Sequence, residues 1–148
     1  MDTSYNNRNS FERVQMPQIN IKNVSADLFS DQAQKAASAC SNAIKGRNKS
    51  TQIRRFYDEL VLWHDKVFSG KTEEEQEQKF KELEPYIQML RAKAAYSKGR
   101  NLIDEAFFGM FDSLIRQIKD KEQLKTAKLF MEAFLGYKKC FESNNGNN

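Results

Sequence analysis

The chain of 148 residues holds one histidine, two cysteines and two prolines, and no apolar run in it approaches the length needed to cross a bilayer. Each shortage removes a class of function. A single histidine with no cysteine near it, and no C-x-x-C or H-x-x-H spacing, supplies neither a metal ligand set nor a nucleophile with its base. Cys40 and Cys140 stand far apart with no apolar leader before them, so they read as buried or half-buried cytosolic thiols rather than a disulfide. Gly99 and Gly109 are isolated within helical stretches, which excludes a glycine-rich phosphate loop. The N-terminal MDTSYNNRNSFERVQ is polar, and the expectation is a soluble, cytoplasmic protein with no membrane contact. No catalytic residue, no metal, no cofactor and no small-molecule substrate is expected.

What the chain does have is charge and helical periodicity. Its formal net charge is +4 and its pI about 9.0, with acids and bases both plentiful. So mild an excess carries meaning only where it is locally concentrated. The length suits one domain with a core of its own.

No alternating β pattern survives a count, and the expected class is all-α: a compact bundle of about five to six helices with no sheet. Residues 1–24 are Asn- and Gln-rich and broken by Pro17, and read as a flexible arm in which INIKNV could form a short extended piece. The bundle is expected over residues 25–142, with a disordered tail at 143–148. Ser25 or Ser30 can cap a first helix reaching Ile44, with the narrow face Ala33, Ala36, Ala37, Cys40, Ala43 and Ile44, before a loop containing Gly46. Ser50 or Thr51 can cap a second helix, whose stripe is Ile53, Phe56, Tyr57, Leu60, His64 and Val67. Thr72 and Glu75 form a capping box for a third. That helix is expected to reach about Glu84, where Pro85 marks a break or kink and starts a fourth. Leu102 to Ile118 and Lys121 to Phe141 complete the set.

The fourth helix, to about Lys98, is apolar on two sides. Leu83, Tyr86, Ile87, Leu90 and Ala94 fall on one face, and Met89, Ala92, Tyr96 and Gly99 on the other. Two seams of charge separate them: Arg91 with Lys98, and Lys93 with Arg100. Such a helix is expected to be sandwiched, with Tyr96 taking a packing role.

His64 sits between Leu60 and Val67 on an apolar stripe and reads as a packed or hydrogen-bonded side chain, not a catalytic base. The acidic run from Glu73 to Glu77 reads as a helix first turn favoured by the macrodipole. The basic runs are more telling. Lys45, Arg47, Lys49, Arg54 and Arg55 occur with no acid between them, as do Arg91, Lys93, Lys98 and Arg100. A solvated helix surface and a phosphate-binding face both account for either run alone, and two acid-free runs in an acid-rich chain favour phosphate. No recognition helix or aromatic platform appears, so the contact expected is with backbone phosphates, blind to sequence. The competing reading is a helical protein–protein adaptor whose basic faces meet acidic partners.

Taken in order, TQIRRFYDEL, ELEPYIQMLRAKAAYSKGR and LFMEAFLGYKKCF resemble the small subunit of type III-A CRISPR effector complexes, the Csm complexes. The resemblance covers about Ser50 to Phe141. The most distinctive part is L-(R/K)-x-K-x-x-Y-x-x-G-R following the Q-I-R motif at the right separation. It implies a non-catalytic helical subunit in antiviral defence, stacked in copies along the backbone subunits of a ribonucleoprotein, where guide RNA pairs with target RNA. By position it makes Arg54, Arg55, Lys93 and Arg100 the first candidates for RNA contact. Arg91 and Lys98 follow from the seams, and Lys45, Arg47 and Lys49 rest on charge alone.

Overall fold

The computed structural model describes residues 15–146, with the backbone alone for 144–146. A single π-helical turn, Leu28–Gln32, leads into α1, Ala33–Ala39. Then follow α2, Ser50–Phe68; α3, Glu73–Gly99; α4, Glu105–Arg116; and α5, Lys121–Gly146. No strand occurs among the described residues, and the all-α expectation holds.

Packing follows from which side chains each helix turns inward. Ala33, Ala36 and Ala37 of α1 and Cys40 just after it are buried, and their small size lets α1 lie close against α5. The second helix buries Ile53, Phe56, Leu60 and Val67, and sits between α3 and α5. The third helix continues the layer and carries α4 on its other side. At the centre Phe56 meets Phe107 and Phe111 at 5.8 and 5.2 Å between ring centroids, and Phe107 meets Phe134 at 5.9 Å, so α2, α4 and α5 share one aromatic core.

The helices α2 and α3 run antiparallel, in a register fixed by three pairs. Trp63 stacks on Tyr86 at 5.7 Å, Lys93 Nζ reaches Glu59 at 2.9 Å, and Gln52 Nε2 donates to Ser97 Oγ at 3.4 Å. This register places the N-terminal end of α2 beside the C-terminal end of α3.

Several expectations need correction. The helix α3 is continuous through Pro85 instead of dividing there. Pro85 lies on the exposed side, where water can take the carbonyl left without a donor one turn earlier. The first helix ends at Ala39, so Ile44 lies beyond it and is exposed; neither Ser25 nor Ser30 caps it. No side chain caps α2 either, since Lys49 occupies that position. Thr72 does cap α3, accepting the Glu75 amide at 3.1 Å, but Glu75 reaches back to the Lys71 amide instead of closing the box on Thr72. The fourth helix starts at Glu105, where Asp104 accepts the Phe107 amide at 2.9 Å. The last helix passes Phe141 to end at Gly146, running into the segment expected as a tail.

Of the expected flexible arm, residues 1–14 lie outside those described. The INIKNV piece forms no strand and bends at residues 21–23, yet it is docked, with Ile19 and Ile21 buried in the core. Gln117 holds it there, accepting the Ile21 amide at 2.9 Å and donating to the Ile19 carbonyl at 2.8 Å. Both cysteines are free, Cys40 buried as expected and Cys140 exposed against expectation. No helix is long and apolar enough to cross a membrane among the described residues.

Candidate nucleic-acid interface

The two basic runs lie far apart in sequence, and two loops bring them together. Each loop carries the tripeptide Gly-Arg-Asn, at 46–48 and 99–101, and each asparagine has a positive φ, 55° at Asn48 and 61° at Asn101. Asparagine tolerates this left-handed geometry better than most residues because its short polar chain can bond locally. At Asn101 the conformation ends α3: the Leu102 amide turns back to the Ser97 carbonyl at 2.9 Å, as in a Schellman cap.

At Asn48 the same conformation builds a clamp. Its amide donates to the Leu102 carbonyl at 3.0 Å, Nδ2 donates to the Cys40 carbonyl at 3.1 Å, and Oδ1 accepts the Asp104 amide at 3.0 Å. Buried and fully engaged, Asn48 ties the end of α1 to the α3–α4 turn. Beside it Arg47 Nη2 donates to Asn101 Oδ1 at 3.1 Å. The basic loop of residues 45–49 is thereby fixed against the Arg100 end of α3.

The expected contact residues divide into three groups. Lys45, Lys49 and Arg55 are exposed and have no acidic partner among the described residues. Arg100 is exposed, with its guanidinium 5.7 Å from the Tyr96 ring centroid. Arg47 is half-buried and bonded only to neutral Asn101. Four of these five come from the Gly-Arg-Asn loops or their immediate neighbours, and Arg55 lies one turn into α2.

A second group is neutralised within the fold. Arg91 Nε lies 2.8 Å from Asp112, which also takes Arg116 at 2.6 Å. Lys98 pairs with Glu105 and covers the Phe108 ring at 4.9 Å. This seam therefore fastens α3 to α4. Lys93 of the other seam pairs with Glu59 of α2 yet stays about half exposed, at 48 % of its side chain.

Arg54 stands apart. It lies next to Arg55 but a helical step of about 100° turns it to the α2–α5 side. There it sits 3.6 Å from Asp58 and 5.9 Å from the Tyr57 centroid. Burial, reinforced by the hydrogen bond to Glu132, pushes the Tyr57 phenol up to about 12, so it remains a donor at neutral pH. The motif's two arginines thus lie on different sides of α2.

His64 is half-buried, as expected, with Nδ1 3.0 Å from Asp65 and its ring 4.6 Å from Phe68. No group of three or more His, Cys, Asp or Glu side chains able to hold a metal occurs among the described residues. Burial pushes the Cys40 thiol far above its ordinary range, opposite to the shift that makes a nucleophile.

The expected sandwich of α3 is half present. Ile87, Leu90 and Ala94 are buried, while Tyr86 of that face is exposed. On the opposite side Met89, Ala92, Tyr96 and Gly99 are all exposed, and no element among the described residues covers them. Tyr96, expected to pack, is 66 % exposed. Sequence reasoning missed the Asn48 clamp, although the repeated Gly-Arg-Asn could have signalled two related turns.

Among curated proteins and among solved structures, none matches this chain. A family model described as Csm2 Type III-A matches residues 24–144, which takes in all of the described helices but the last two residues of α5, and all nine basic residues weighed above. The chain belongs to the Csm2 Type III-A family, and is a small subunit of a type III-A CRISPR complex.

Proposed function

We propose that the protein is a non-catalytic subunit that stacks in copies along the backbone of the complex and holds guide and target RNA by their phosphates, without reading sequence. The observation that carries this is the convergence of Lys45, Arg47, Lys49 and Arg100 through the paired Gly-Arg-Asn loops, beside Arg55. None of these five is paired with an acid among the described residues, so each retains its charge for an external anion. They rise from a clamped loop and from two helices in fixed register, which lowers the entropy lost on binding. A subunit repeated along a guide–target duplex has to ignore base identity, and phosphate contact does so. Arg91 and Lys98, committed to α4, are in this reading structural; Lys93 contributes part of its charge, and Arg54 faces a separate groove.

The test is binding of the isolated protein to RNAs of unrelated sequence across a range of salt. Affinity should be similar for all of them and fall steeply as salt rises. Reversing Arg55 and Arg100 to Glu together should weaken it by about tenfold or more and flatten the salt dependence. Unchanged affinity in that variant would remove these residues as contacts. No RNA binding at all, with co-purification of a backbone subunit retained, would favour the adaptor reading instead.

A further inference from the structure

We infer that the open depression between α2 and α3 binds an unpaired nucleotide of an RNA strand, its base stacked against Tyr96 and its flanking phosphates on Arg55 and Arg100. The inference rests on the RNA-binding reading and extends it from phosphate contact to recognition of unpaired strand. The depression is lined by Gln52, Arg55, Met89, Ala92, Lys93 and Tyr96, among others, so its floor is apolar and its rim cationic.

Two exposed tyrosines of α3 can be compared directly. Tyr86 already stacks on Trp63. Tyr96, the more exposed of the two, has no aromatic partner among the described residues, only the Arg100 guanidinium near its ring. A tyrosine with a cation at hand and apolar Met89 and Ala92 beside it suits a nucleobase, which brings a flat π face and a phosphate on either side. Gln52 and Ser97, bonded to each other at the end of the depression, offer polar groups to a ribose hydroxyl. Small Ala92 leaves room above the helix at this point.

Charge selects this occupant over a two-fold contact with a second copy of the chain. A two-fold contact through this face would bring both copies' Arg55 and Arg100 together, and the only acid lining the depression, Glu59, is already held by Lys93. An anion with an aromatic face meets both requirements. Stacking tolerates any base, so the site adds preference for unpaired strand without adding sequence readout.

The experiment compares the full chain with its Tyr96→Ala and Tyr96→Phe variants, using a fluorescein-labelled single-stranded RNA and the same strand annealed to its complement. Circular dichroism establishes that the variants keep their helices. Tyr96→Ala should weaken single-strand binding by about tenfold and leave duplex binding unchanged, while Tyr96→Phe binds as the wild type does. A 2-aminopurine in the single strand should be quenched on binding to the wild type and not to Tyr96→Ala. Equal losses for both RNA forms, or no loss for either, would overturn the inference while leaving phosphate binding intact. Absence of RNA binding by the wild type would overturn both readings. A Tyr96→Ala defect confined to co-purification with a protein subunit would overturn the inference in favour of a protein occupant.

Discussion

Asn48 and Asp104, separated by 56 positions, are joined by a 3.0 Å hydrogen bond from the Asp104 backbone amide to Asn48 Oδ1. The same Asp104 then caps α4 through its own side chain. One buried asparagine therefore sets both the position of the basic loop and the start of the helix packed on α3.

Replacing Asn48 tests that relationship. Asn48→Ala loses both side-chain bonds, leaves the Cys40 carbonyl and Asp104 amide unpaired, and strains the positive φ, so it should cost about 2–4 kcal/mol. Asn48→Gly removes the same bonds without the strain and should be milder by about 1 kcal/mol. Urea denaturation measures both. RNA affinity should fall in each although no charge has been removed; full affinity in a folded variant would separate the clamp from binding.

The pair Lys93–Glu59 limits how much of the Lys93 charge is available outside. Glu59→Gln should raise RNA affinity by roughly threefold near 0.1 M salt and steepen the salt slope by about one ion. A slope identical to the wild type would mean that Lys93 stays clear of phosphate.

Arg91 behaves differently, because its partner Asp112 is only 15 % exposed and also holds Arg116. Arg91→Ala should destabilise the α3–α4 packing by about 1–2 kcal/mol while RNA affinity stays within about twofold of the wild type. Thermal unfolding and RNA titration of the same sample decide the matter. A loss of affinity without loss of stability would return Arg91 to the interface.

Glu142 supplies a pH dependence. Burial pushes its carboxyl up, but hydrogen bonds from Lys138 and Ser50 outweigh that and hold it below its ordinary value of 4.5. A lowered folded-state value means that the unfolded chain binds the proton more readily. The contribution to stability is therefore complete above 4.5 and lost as pH falls through the lower folded value. Glu142→Gln should cost about 1–3 kcal/mol at pH 7, since it leaves buried Lys138 without its acid. The gap to the wild type should narrow in urea titrations as pH falls below 4.5; a gap independent of pH would assign the effect to packing.

Much of the fold can be read from particular residues. Ile53, Phe56, Leu60 and Val67 repeat at helical spacing on α2 and are all buried, and Thr72 caps α3 where the chain places it. Phe107, Met110, Phe111, Leu114 and Ile115 likewise form the inner face of α4. Pro85 misleads because its cost depends on which side of the helix it occupies, and only packing fixes that side. Ile19 and Ile21 are hidden within polar sequence because their anchor, Gln117, lies far along the chain.

The candidate interface was less legible. Sequence identifies the cations but not their neighbours, and a cation's availability depends on whether an acid from another helix reaches it. Asp112, Glu105 and Glu59 reach Arg91, Lys98 and Lys93 only across helix–helix contacts. Tyr96 shows the same limit: its spacing puts it on a second apolar face, and only the arrangement of helices leaves that face uncovered among the described residues.

The sequence by itself determined the class, an all-α chain, and its family, because local periodicity and ordered motifs do not depend on long-range contacts. The tertiary structure alone decided which cations remain free and that two distant basic runs share one edge. Those outcomes rest on the Asn48 clamp and on ion pairs between helices, both of them contacts between residues far apart in the chain.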